Sequence, residues 1–286
     1  MIAAAERILE GASPLTPTLL PQLQQLIAAT GERLSEYSAA NLYLYRGRHH
    51  YRFHSEPAPH VTGRTYDGVR HALPLALLDR DGAEALLDAV DCIGPVGDPA
   101  LAARLGLALG WNDDDSDYVY AAERLAILDG AKAKRSQARA FEEEEVRPRL
   151  LPIDPDDIGD ALTVLAGWSE DVGKGEGDTD LAECREALAL MAPLGLEGWL
   201  VEIAGAAPVA FLLAGRGADG SHIVHFAKGR RAYAGAYPWM FARFAARVGT
   251  GWINFEQDLG KPGFAQAKRA FAPAQRLRKY RLRRDG

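Results

Sequence analysis

A chain of 286 residues is long enough for two domains of about 150 residues each, or for one large domain. Its 48% hydrophobic and 25% charged residues and net charge of −6 are those of a soluble globular protein, and give no bulk electrostatic reason to expect a nucleic-acid coat protein or a general membrane-surface binder. Cys92 and Cys184 stand far apart with no CxxC or Cys/His cluster, which excludes a disulfide framework and a cysteine-rich zinc site; no metal is expected. In chain order, Leu19, Leu20, Leu23, Leu26 and Ile27 lie at helical spacing and end at Gly31. The run from Asn41 to Phe53, rich in strand formers around Gly47, predicts a hairpin with His49, His50 and His54 on its surface. Leu73–Asp79 reads as a short strand or buried turn, 83–90 as a helix, 117–120 (DYVY) as a strand and 123–128 as a helical turn. The charged stretch Lys132–Arg149 reads as an exposed helix stopped by Pro148 and Pro152, and 150–160 as a linker.

The second half has a clear order. Leu181, Cys184, Leu188 and Met191 mark a helix face, and strands follow at 198–203, 209–214 and 222–228, separated by turn signals. A helix then carries Tyr237, Met240, Phe241, Phe244 and Val248 on one face, with Pro238 in its first turn. The rest predicts a strand over 252–258, a short helix after Pro262 and an extended segment over 276–283. No run approaches the roughly 18 apolar residues of a membrane span, and Glu6 and Arg7 break any leader pattern. A cytoplasmic protein is expected, with transient docking on a membrane left open.

Charge is uneven along the chain. Residues 260–286 hold nine Lys and Arg against Asp285 alone, a net +8, so the other 259 carry −14. A tRNA-sized polyanion is therefore a permitted partner at that end.

Helix, three meandering strands, helix, strand, helix and strand is the order of the second half of a GNAT acyltransferase. There a helix N-terminus receives the acyl carrier's pyrophosphate through free N–H groups and the helix dipole. The loop before this chain's central helix, with Arg231, Ala234 and Ala236, matches the acetyl-CoA pattern only in degenerate form. The C-terminal run WINFEQDLGKPGFAQAKRAFAPAQRLRKYRLRR (252–284) carries a more specific likeness. With Asn254, Glu256, Asp258, Leu259, Gly260, Gly263, Lys268, Lys279 and Tyr280 in place, it resembles the phosphatidylglycerol lysyltransferase C-terminal domain family (domain of unknown function 2156). GAY at 235–237, HFAK at 225–228, DYVY at 117–120 and SEYSAANLYLYR at 35–46 extend the resemblance in order. The basic helix departs from it, reading Lys134, Arg135, Ser136, Arg139, Phe141 without two expected asparagines, and so does Ala227, where Glu is frequent.

The resemblance implies an α/β (α+β) fold of two GNAT-like domains in tandem, with mixed, mostly antiparallel sheets flanked by helices. Residues 1–150 would form a degenerate partner and 151–286 the domain with the active site. It further implies transfer of an aminoacyl group from aminoacyl-tRNA, without a cofactor, to a lipid, peptide or small-molecule acceptor. The alternatives are an acyl-CoA-dependent N-acyltransferase and a non-catalytic ligand-binding member of the fold. Glu256 and Asp258, alternating with Asn254 on one strand face, would bind the donor's α-ammonium or orient a base. Against this, Asp258 could cap the helix near Pro262 and Glu256 pair with a tail arginine. His225, beside the central helix, is the candidate general base. Lys268, Lys279 and Tyr280 would line a phosphate-binding groove, and the amides of Gly235, Ala236 and Tyr237 would meet a phosphate or carbonyl oxygen.

Overall fold

The computed structural model describes residues 11–144, 147–174 and 176–285. Glu6, Arg7 and Glu145, the last counted in the charged helix, lie outside these. The chain opens with a two-residue strand, β1 (Ser13–Pro14), and helix α1 (Leu20–Thr30), which buries Leu20, Leu23 and Ile27 and ends at Gly31 in the left-handed conformation. The predicted hairpin is replaced by helix α2 (Ala39–Leu44) and a turn. Ser38 caps α2, its hydroxyl accepting the Asn41 N–H, and Ala39 and Ala40 are strong helix formers. The apolar run misled because Leu42, Tyr43 and Leu44 are buried on every side of so short a helix.

Strands β2 (Arg52–His54), β3 (His60–Arg64) and β4 (Arg70–Pro74) then meander antiparallel. Helix α3 (Arg80–Ala89) crosses over to β5 (Cys92–Val96), parallel to β4, and α4 (Ala100–Leu105), β6 (Ala108–Trp111) and β7 (Asp117–Ala121) follow. Helices α5 (Ala122–Ala126) and α6 (Lys132–Glu144) lead into a second series. The expected linker at 150–160 is structured. It holds β8 (Arg149–Pro152), whose Leu150 and Leu151 pair with Val201 and Leu200, and the start of α7 (Ile158–Val172). After α8 (Leu181–Ala189) and α9 (Met191–Leu194) come the antiparallel strands β9 (Glu197–Glu202), β10 (Ala210–Arg216) and β11 (His222–Gly229). Helix α10 (Ala236–Val248) crosses to β12 (Trp252–Asn254), parallel to β11, and α11 (Pro262–Arg269), β13 (Gln275–Leu277) and β14 (Tyr280–Arg283) complete the chain.

The two series repeat one order: strand, helices, three-strand meander, helix, parallel strand, helix, two strands. The first sheet runs β1-β2-β3-β4-β5-β14-β6 and the second β13-β7-β12-β11-β10-β9-β8. Each series thus gives its last strand to the other's sheet, β14 entering between β5 and β6, and β7 between β12 and β13. Neither sheet is one continuous stretch of sequence. The 276–283 segment, expected to be a single strand, is two strands in different sheets, parted at Arg278 and Lys279.

Three cores follow from this layering. The central one joins Phe53, Val61 and Leu73 of the first sheet to Phe211, Leu213 and Phe226 of the second, with α1, α2, α7 and α8 between. Another lies on the far face of the second sheet under α5, α6 and α10, and a third under α3 and α4, where Leu282 of β14 is fully buried. Each buried Leu or Phe is worth roughly 1.5–3 kcal/mol, so the central core is a large term binding the two sheets together. Among the described residues no helix is long and apolar enough to cross a membrane.

Candidate active site

Strand β12 stops at Asn254, short of the predicted 258. Glu256 and Leu259 take left-handed backbone angles (φ 58° each), which a continuing strand does not allow. The carboxylates of Glu256 and Asp258 are consequently not a pair on one strand face. Asp258 is buried, its Oδ2 accepting from the Tyr118 hydroxyl at 2.6 Å and its Oδ1 from the Gly260 N–H at 2.9 Å. It shapes the turn before α11 and does not cap that helix, whose N-cap is Lys261. Lys268 reaches back from α11, donating to the carbonyls of Phe255 (2.6 Å), Glu256 (3.1 Å) and Gln257. Burial lowers its ammonium to about 8, and the group holds the loop, where a phosphate-binding role was expected.

Glu256 is the member of the set that reaches the surface, with 20% of its side chain exposed. Its Oε1 accepts from His225 Nδ1 at 2.8 Å and from Asn41 Nδ2 at 3.4 Å; among the described residues Oε2 has no hydrogen-bond partner. His225, on β11, is 1% exposed, and its Nε2 meets the Ser38 hydroxyl at 3.2 Å. The imidazole is therefore used on both nitrogens by protein groups, and the one that faces outward is the carboxylate. Burial first, then the charge of Glu256, raises the phenols of Tyr45 and Tyr66, so both lie in its field.

Asn254 ties Glu256 to a buried ion set: its Oδ1 accepts the Glu256 N–H at 2.7 Å while its Nδ2 donates to Asp117 Oδ2 at 2.9 Å. Lys279, 3% exposed, sits between Asp117 (2.6 Å) and Glu36 (2.7 Å), and Ser35 donates its N–H and hydroxyl to Asp117. Although burial opposes it, the two carboxylates hold the Lys279 ammonium firmly protonated. Burial pushes Glu36 up to about 7 against the pull of Lys279, with Asp117 adding to the rise; one cation does not neutralise two carboxylates. Lys279 is thus an internal counter-ion. Tyr280 lines a cavity of about 800 Å³ with Arg33, Leu34, Ser116, Arg276 and Arg278; Glu256 and His225 are not among its walls.

Other sequence expectations meet the structure differently. The first turn of α10 is partly closed as a phosphate cradle: a Cβ on Gly235 would lie 2.5 Å from the Gln137 carbonyl of α6, and the Ala236 amide already donates to Tyr233. Tyr237 packs its ring over Gly229. The basic tail is structured, as expected, and part of its charge is paired within the fold. Arg281 pairs with Asp67 and Asp115, Arg284 with Glu84 and Asp88, and Arg278 with Asp113. His49 and His54, expected at the surface, are buried. Sequence reasoning passed over Ser35, Glu36, Ser38 and Asn41, although Ser38 before two alanines is a helix-start signal.

Among the described residues no group of three or more His, Cys, Asp or Glu is placed to hold a metal. No curated protein matches the chain. Among solved structures, a conserved protein of unknown function from Bacteroides thetaiotaomicron superposes with a TM-score of 0.81 at 23% identity, covering 96% of this chain and 99% of that one. L-PGS from Bacillus licheniformis gives 0.57 at 13% identity over 92% and 91%, and FemX 0.61 at 9% over 92% and 95%. The fold is that of tandem GNAT-like acyltransferases. Residues 28–283 match the model of the phosphatidylglycerol lysyltransferase C-terminal family, and the chain belongs to that family.

Proposed function

We propose that this chain is an aminoacyltransferase that takes its aminoacyl group from aminoacyl-tRNA and passes it to a lipid, peptide or small-molecule acceptor. The observation that carries the reading is Glu256, a carboxylate fixed through one oxygen by His225 and Asn41, with the other oxygen unpartnered among the described residues and the side chain 20% exposed. An aminoacyl ester is already activated, so the protein has to align the reactants and manage one proton. The acceptor hydroxyl or amine attacks the ester carbonyl and gives its proton to Glu256 Oε2. The acyl–oxygen bond to the ribose then breaks, and the same proton passes to the departing ribose oxygen. The first turn of α10 weighs against the acyl-CoA alternative, because α6 packs closely on Gly235 and the Ala236 amide already donates to Tyr233, where a pyrophosphate would need room and free amides.

The test incubates the protein with charged tRNA and a cell extract and looks for an aminoacylated product by mass spectrometry. Product that disappears on ribonuclease treatment, and falls about 10²–10⁴-fold in Glu256→Gln, is the expected result. Product made equally from acyl-CoA without tRNA, or undiminished in Glu256→Gln, contradicts the reading.

A further inference from the structure

We infer that Ser38, in the first half of the chain, is a positioning residue for Glu256. It acts by fixing His225 as the neutral tautomer with its proton on Nδ1. The inference rests on the proposed role of Glu256 and adds a part that no other observation assigns.

The donor directions leave one consistent arrangement. Ser38 Oγ accepts the Asn41 N–H at 3.3 Å as the N-cap of α2. Its own proton is then available to His225 Nε2, 3.2 Å away. With Nε2 accepting, the ring proton is on Nδ1 and is donated to Glu256 Oε1 at 2.8 Å. Were Nε2 protonated, it would donate to Ser38 and leave the hydroxyl proton without an acceptor in a buried place, at a cost of roughly 1–3 kcal/mol. In the other neutral tautomer, with Nε2 protonated, two lone pairs, one on Nδ1 and one on the carboxylate, would also face each other at 2.8 Å.

The surroundings enforce the ring position. His225 lies against Gly215 of the neighbouring β10, where a Cβ would stand 3.1 Å from Nε2. The ring also cannot turn away, being 1% exposed in the central core. Asn41 closes the arrangement: its backbone amide holds Ser38 and its side-chain amide donates to Glu256 Oε1. One short helix of the first series thereby fixes, by two routes, the carboxylate that follows a strand of the second. Oε1 is saturated by neutral donors, which leaves Oε2 aimed outward.

Two measurements test this. Nitrogen-15 NMR of the histidine-labelled full chain, assigned with His225→Gln, is expected to show His225 as the Nδ1–H tautomer near pH 7.5. An Nε2–H tautomer or an imidazolium there overturns the inference. In the charged-tRNA assay, Ser38→Ala is expected to lower kcat about 10- to 100-fold with KM unchanged, and Ser38→Thr, which keeps the hydroxyl, to recover most of it. Unchanged kcat in Ser38→Ala, or an equal loss in a folded Ser38→Thr, overturns it too. The NMR result needs no transfer activity, so it separates failure of this inference from failure of the proposed reaction.

Discussion

Histidines show how burial decides chemistry in this chain. His60 and His71 stand in the first sheet, each with its Nδ1–H donating to a backbone carbonyl at 2.7 Å and, among the described residues, Nε2 buried without a partner. Burial, the largest influence, lowers both to about 4. Between pH 6.5 and 4 the unfolded chain binds protons at these positions that the folded chain refuses. Stability therefore falls as pH drops through that window, by roughly 3 kcal/mol for each group, and the loss is complete below pH 4. Urea denaturation at steps from pH 7.5 to 4.5 should show the decline, with a shallower slope in His71→Gln. A flat profile down to pH 5 would contradict the assignment. Sequence gave no way to sort these rings from His225, because all are single histidines in apolar runs. The difference is a partner: of these three rings, His225 is the one whose Nδ1 meets a carboxylate among the described residues.

Element contacts explain which expectations held. The meander β9–β11, helix α10 and α11 were readable because each is long enough for its apolar period and is bounded by glycine or proline. The 254–258 segment was not, since its alternating pattern continues as if it were a strand while φ at Glu256 changes sign; Lys268, twelve residues later, holds that bend. Gly235 looked like part of a phosphate loop, whereas its lack of a side chain serves the approach of α6, whose Phe141 Cβ would lie 2.6 Å from an added Cβ. Gly235→Ala is accordingly expected to destabilise the protein by about 1–3 kcal/mol through overpacking between α6 and α10. Its Tm should fall while a binding assay with a CoA thioester changes nothing. An unaltered Tm would show that α6 yields at this point, and an open α10 N-terminus would return to consideration.

At the scale of the molecule, the exchange of β7 and β14 joins what the sequence presents as two halves. The repeat of element order is invisible in the residues, because it is kept by layering and register and not by identity. The uneven charge has its explanation here. The tail strand crosses into the first sheet, and its cations meet acids from residues 36–117 that are remote in sequence. Asp117 begins β7 and Lys279 immediately precedes β14, so their 2.6 Å contact pins the two crossing strands at one point. Removing one partner of a buried pair costs about 3–5 kcal/mol, because the other charge stays in place unpaired; here Glu36 and Asp117 would both be left. A chain ending at residue 279 keeps that pair but loses β14, exposing the edges of β5 and β6 and uncovering the core around Leu282. Since the central core belongs to both sheets, the deletion should not release the first sheet alone. We expect the full chain to unfold in one urea transition by far-ultraviolet circular dichroism and by tryptophan fluorescence. In the truncated chain both signals should shift together to lower urea. If only the first sheet melts early, seen as circular dichroism loss with the fluorescence of Trp199 and Trp239 retained, the two sheets are independent folding units.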